Sequence, residues 1–162
     1  MSTTTTDFRW LTEAEQHVWR SWITATSLLQ ERLDRDMKAG HGLSMAEYEV
    51  LVRLSESPER RLRMSELANR TLASKSRLSH QISRMEDSGL VRREECSADR
   101  RGAFAVLTNH GWQTLVDAAP DHVTSVRTWL VEAMDGEEFR QLGELSARVV
   151  ARLRSGYPTE TG

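Results

Sequence analysis

Apolar residues recur at helical spacing from residue 11 to about residue 38. Trp19, Trp22, Ile23, Thr26, Leu29, Leu33 and Met37 fall on one side of a helix drawn at roughly 3.6 residues per turn. The sequence Gly40-His41-Gly42 predicts a break. A second helix is predicted from Ser44 to about Ser57, with Ser44 and Glu47 in a capping box, Leu43 stapling onto Tyr48, and Pro58 unable to continue it. Residues 59 to 63 can supply a short edge strand. Two short helices follow. The first is predicted to be capped by Ser65 and to put Met64, Leu67 and Ala68 in the core; Thr71-Leu72-Ala73 makes the turn. The second opens at Ser74, whose side chain suits the orphan amides of a helix start, and closes at Gly89. Residues 90 to 95 and 103 to 107 then read as two strands joined by a loop too long for a tight hairpin. Helical spacing resumes at Thr108, with a bend or restart expected at Pro120. It resumes again after Asp135 and Glu138, where Phe139, Leu142, Leu145, Val149 and Leu153 make an apolar seam that Gly156 and Pro158 end.

The order helix, turn, helix, two-stranded wing fixes which side chains can do chemistry. Leu78, Ile82 and Met85 form one buried stripe, so Ser76, Arg77, His80, Ser83 and Arg84 point roughly the other way. That face is cationic and hydrogen-bonding, without bulk. An α-helix fits the DNA major groove, where Arg bonds two acceptors of guanine and Ser or His reaches single groups, which makes Ser76, Arg77 and His80 candidate base readers. Ser74, Lys75 and Arg84 are placed for phosphates, because a helix N-terminus offers free amides and partial positive charge. At the wing tip, Asp99-Arg100-Arg101-Gly102 carries an arginine, Arg101, able to enter a narrow minor groove, with Arg100 left for the backbone.

Net charge is −2 over 162 residues, which by itself argues weakly against a nucleic-acid partner. Its distribution reverses that argument. Residues 59 to 103 hold 11 Lys or Arg against 7 Asp or Glu, while the rest of the chain holds 11 against 17. A basic segment on an acidic scaffold is the footprint of a phosphate-binding surface. The length suits one domain, and no stretch approaches the roughly 18 apolar residues of a membrane span, so a cytoplasmic protein without membrane contact is expected. There is no Walker loop, GxGxxG or HExxH, and Gly40-His41-Gly42 has neither a preceding strand nor a third glycine, so no enzyme and no cofactor are expected. A single cysteine, Cys96, excludes an intrachain disulfide and disfavours a zinc site.

The run LRMSELANRTLASKSRLSHQISRMEDSGLV, followed by Asp99-Arg100-Arg101-Gly102 and Leu107-Thr108, resembles the multiple-antibiotic-resistance regulator (MarR) family over roughly residues 15 to 150. The resemblance implies a mostly α fold with a small β-hairpin wing (α+β), a winged helix-turn-helix flanked by N- and C-terminal dimerisation helices. It implies a homodimeric transcription factor, usually a repressor, released from a double-stranded DNA operator by a small ligand or by thiol oxidation. By the family's DxR motif, Asp99 orients Arg101. The expected organisation is a tail over residues 1–9, one domain over 10–155 and a tail over 156–162. Within the domain, the winged part spans about 43–108 and the dimerisation helices about 10–39 and 109–155.

The apolar faces of those outer helices exceed what the winged part can cover, and a two-fold dimer would both bury them and set two recognition helices about one DNA turn apart on a pseudo-palindromic operator. The effector is less defined. Trp10, Trp19 and Trp22 lie near His17, with His41 and Tyr48 one helix on; such a set suits a planar aromatic or phenolic ligand and equally suits ordinary core packing. Cys96, near Arg92, Arg93 and Arg100, is a rival redox sensor, although thiol sensing in the family usually uses an N-terminal cysteine, which this chain lacks. A winged-helix module for protein partners is a further alternative, opposed by the exposed arginines.

Overall fold

A computed structural model of the chain describes residues 8–95 and 102–156. Six helices and three short strands run in the order α1 (Glu13–His41), α2 (Met45–Ser55), a 3-10 turn (Pro58–Arg60), β1 (Arg61–Arg63), α3 (Met64–Arg70), α4 (Lys75–Asp87), β2 (Val91–Glu95), β3 (Ala103–Leu107), α5 (Asn109–Trp129), a second 3-10 turn (Val131–Ala133) and α6 (Gly136–Gly156). The sheet is antiparallel in the order β1-β3-β2, with Leu62 opposite Ala105 and Val91 opposite Leu107. Residues 61–63 are the expected edge strand.

Local chemistry explains most boundaries. Thr12 and Glu15 close a reciprocal capping box at the start of α1, with Thr12 N–H donating to Glu15 Oε2 at 2.7 Å and Glu15 N–H to Thr12 Oγ1 at 3.3 Å. The break expected over residues 40 to 42 comes at Gly42 alone, whose φ of 67° suits glycine and whose N–H donates to the Lys38 carbonyl. Gly40 and His41 stay helical. Ser44 and Glu47 form the expected box on α2, and Leu43 and Tyr48 are buried in the core. Helix α2 stops at Ser55, and Ser57 instead donates its hydroxyl to the Arg53 carbonyl at 2.6 Å.

Ser65 does not cap α3. The cap position is Arg63, with no side-chain cap bond, and Ser65 lies inside the helix. Pro120 neither interrupts nor restarts α5, which runs through it from Asn109 to Trp129. Asp135 and Glu138 exchange hydrogen bonds of 2.9 and 2.8 Å ahead of α6, as expected.

The core is the winged part. Leu51, Leu54, Leu67, Leu78, Ile82 and Met85 are its largest fully buried side chains, joined by Val91, Ala105 and Leu107 from the sheet. Helix α5 enters this core with its first half: Thr108 accepts the Gly111 N–H at 2.9 Å and donates to the Gly89 carbonyl at 2.7 Å, and Gly111 lies so close to Leu90 that a Cβ there would fall 2.1 Å from the Leu90 carbonyl oxygen. Its second half lies along α1, where Ser125 donates to Asp36 Oδ2 at 3.0 Å and the Arg32 guanidinium stacks 4.3 Å from the Trp129 ring centroid. Helix α6 contributes no buried residue. Among the described residues, no helix is long and apolar enough to cross a membrane.

Candidate nucleic-acid interface

Helix α4 begins as its sequence dictates. Ser74 is extended, and its hydroxyl accepts the Arg77 N–H at 3.2 Å, which leaves other first-turn amides free and no acidic residue beside them. Leu78, Ile82 and Met85 are buried, whereas Ser74, Lys75, Ser76, Arg77, His80 and Arg84 are all exposed. All six candidate contacts are therefore open to solvent, with Arg77, His80 and Arg84 on the side opposite the apolar stripe. Several arginines elsewhere are occupied: Arg53 pairs with Glu49, Arg70 with Glu66 and Arg35 with Glu31. Lys75, Arg77 and Arg84 have no ion-pair partner among the described residues. Arg77 and Arg84, seven residues apart and so on one face, with Lys75 in the first turn beside the helix N-terminus, form a surface for a polyanion; the carboxylates of α4, Glu86 and Asp87, lie at its far end.

Ser83 departs from the expected outward direction. It is half-buried, donates its hydroxyl to the Ser79 carbonyl at 3.1 Å, and accepts from Arg93 of the wing at 3.0 Å. Asp99, Arg100, Arg101 and Cys96 lie outside the described residues; the flanking strands β2 and β3 remain paired as far as Glu95 and Ala103.

The five aromatic and histidine candidates for an effector pocket do not come together within one chain. Trp19 and Trp22 line an open groove on α1, Trp10 is largely exposed ahead of that helix, and His41 pairs with Asp121 at 2.9 Å. Tyr48 alone lines a much larger cleft of about 1010 Å³ between α1, α2 and α4. Periodicity placed Trp19 and Trp22 on one helix; it could not say how the helices were set against one another.

That cleft contains groups that sequence reasoning missed. Gln81 is 5% exposed, and its side-chain Nε2 has no hydrogen-bond partner; Arg53 Nε and His122 Nδ1 are likewise buried and unpartnered, and all three residues line the cleft. The His122 ring lies 4.7 Å from that of Tyr48. Burial holds His122 below the ordinary histidine range and pushes the Tyr48 hydroxyl up. Gln81 had a sequence signal, a polar residue inside the apolar stripe of α4. His122 had none.

A helix-turn-helix with a free cationic second helix, followed by a β-hairpin wing, defines a winged-helix DNA-binding protein. The chain belongs to the MarR family and is a transcriptional regulator. The MarR family model matches residues 41–102. The chain is 48% identical to AbsC, a MarR family transcriptional regulator from Streptomyces coelicolor, over 91% of this chain and 99% of that one, with a TM-score of 0.86. It is 46% identical to Sco3205 from the same organism, a MarR family regulator solved in complex with DNA, over 96% of each chain with a TM-score of 0.88. It is also 27% identical over 114 residues, 68% of each chain, to the HTH-type transcriptional repressor YetL of Bacillus subtilis strain 168.

Proposed function

We propose that this protein is a homodimeric repressor that reads a pseudo-palindromic operator. The observation that carries the reading is the solvent-exposed surface of α4, where Lys75 in the first turn and Arg77 and Arg84 beyond it have no carboxylate partner among the described residues. Ser76, Arg77 and His80 read base edges in the major groove, and Ser74, Lys75 and Arg84 hold phosphates. Arg101, oriented by Asp99, enters the minor groove, and Arg100 meets the backbone. The exposed seam of α6, with Leu145 at 52% and Leu153 at 57% exposure, supports a second copy of the chain as its cover. The repressor relative and the DNA-bound neighbour support the same assignment.

Release by a small ligand is part of this proposal. The cleft beneath Tyr48 suits a planar molecule bearing an acceptor for Gln81 Nε2, whose solitary burial is costly until something bonds it. Such a ligand controls the protein only by preferring a dimer whose recognition helices are spaced wrongly for DNA.

Fluorescence anisotropy on DNA from upstream of the protein's own gene, with scrambled competitor at several salt concentrations, tests the proposal. Tight, salt-steep and sequence-selective binding by a dimer is expected. Equal affinity for operator and scrambled DNA would overturn it.

A further inference from the structure

Helix α4 and the wing serve different grooves of one half-site, so operator reading depends on how rigidly one is set against the other. The residue that sets them is Arg93. It stands in β2 on the same face as Val91, which is buried, and pairs in register with the fully buried Ala105. Its side chain is nevertheless 35% exposed, so it leaves the core and folds back along the neighbouring helix. It finds acceptors on α4: Nη2 donates to the Ser79 carbonyl at 2.8 Å, to Ser79 Oγ at 3.3 Å and to Ser83 Oγ at 3.0 Å. Its main-chain N–H donates to Glu86 Oε1 at 2.9 Å. Ser79, Ser83 and Glu86 are spaced i, i+4 and i+7, a polar seam lying between the apolar stripe of α4 and its DNA-facing side.

Among the described residues, Arg93 and Glu86 carry the side-chain hydrogen bonds between β2 and α4. We propose that Arg93 is a positioning residue for operator recognition, clamping the wing to α4 so that the wing tip is aimed at its groove once the helix is seated. Its planar head reaches Ser79 and Ser83, one turn apart, through Nη2, while Nε lies 4.0 Å from Glu86 Oε2; a lysine, with a single nitrogen, cannot hold both ends. Arg93 itself touches α4, not DNA. The inference rests on the reading that α4 occupies the major groove and the loop after β2 the minor groove.

The test compares the full-length dimer with its Arg93→Ala, Arg93→Lys and Ser83→Ala variants on an operator fragment. Dimethyl sulfate protection of guanine N7 reports the major groove, and hydroxyl-radical protection reports the minor groove. Arg93→Ala is expected to keep the first and lose the second, with operator affinity falling about tenfold. Arg93→Lys should behave like Arg93→Ala although it keeps the charge. Ser83→Ala, which removes a single contact, should show the same loss in milder form. The effect of Arg101→Ala should nearly vanish in the Arg93→Ala background, because an unaimed wing has nothing left to lose. The proposal is overturned by intact minor-groove protection in Arg93→Ala, by fully multiplicative effects of Arg93→Ala and Arg101→Ala, or by full affinity in Arg93→Lys. A wild-type protein without minor-groove protection would instead refute the groove assignment, and the clamp's role in operator reading with it.

Discussion

Helices α4 and α6 are both amphipathic, yet each leaves a different kind of surface unfinished. In α4 the apolar stripe is complete: Leu78, Ile82 and Met85 are at most 1% exposed. Its cations lack partners. In α6 it is the apolar seam that lacks a cover: Phe139, Leu145, Val149 and Leu153 face outward, although Arg140 pairs with Glu137 at 2.6 Å and with Glu144 in the same helix. One helix awaits a polyanion and the other an apolar surface. A single chain thus satisfies the physics of its winged core and leaves both remaining surfaces open, and in the proposed dimer DNA binding and self-association would be coupled.

The sharpest way to break this contrast is Leu145→Asp. It leaves the core untouched and places a charge where α6 needs an apolar cover. Sedimentation should show a monomer and operator affinity should fall about a thousandfold through lost bivalency; a dimeric Leu145→Asp protein would remove α6 from the subunit contact. Next in size is Gly111→Ala. A Cβ meets the Leu90 carbonyl oxygen at 2.1 Å, with the Leu107 side chain 2.8 Å away, so α5 must part from the wing. Thermal unfolding should report a loss of about 3 kcal/mol.

Arg77→Ala sharpens the other arm of the comparison. Operator affinity should drop by about 1–3 kcal/mol with relaxed preference at one base position, whereas Lys75→Ala should weaken all sequences alike and flatten the salt slope by about one unit. Identical behaviour of the two variants in anisotropy titrations would erase the division between reading and anchoring. The smallest effect concerns His122, which burial holds below the ordinary histidine range. The unfolded chain therefore binds this proton more tightly than the folded one. The stability contributed by the neutral ring is complete above about pH 6.5 and declines as pH falls through that range towards the depressed value. Denaturant titrations at several pH values should show this slope reduced in His122→Phe.

Elements governed by neighbouring residues were legible in the sequence. The Ser44–Glu47 and Asp135–Glu138 boxes, the Ser74 cap and the stripe of α4 all depend on spacings of three or four residues, and the structure contains each of them. The Ser65 cap failed because β1 runs directly into α3, leaving Arg63 at the cap position. Arg93 was legible in part: two residues after the core residue Val91, strand alternation puts it on the side of the strand that faces α4. Its partners were not, since Ser79 and Ser83 belong to another element. Trp10, Trp19, Trp22, His41 and Tyr48 do not meet within one chain, because the relative placement of α1, α2 and α5 is a tertiary outcome that no local spacing encodes.

Helix α5 begins inside the winged core at Gly111 and ends beside α1 at Trp129. At about 1.5 Å per residue it is a rod of about 30 Å whose two ends are welded to different halves of the protein. A tilt of about 10° at the outer end swings the inner end by about 5 Å, more than the roughly 3.4 Å rise of one base pair. The rod ties the two halves mechanically, so in the proposed dimer a small tilt of α5 against α1 would shift a recognition helix by more than one base pair.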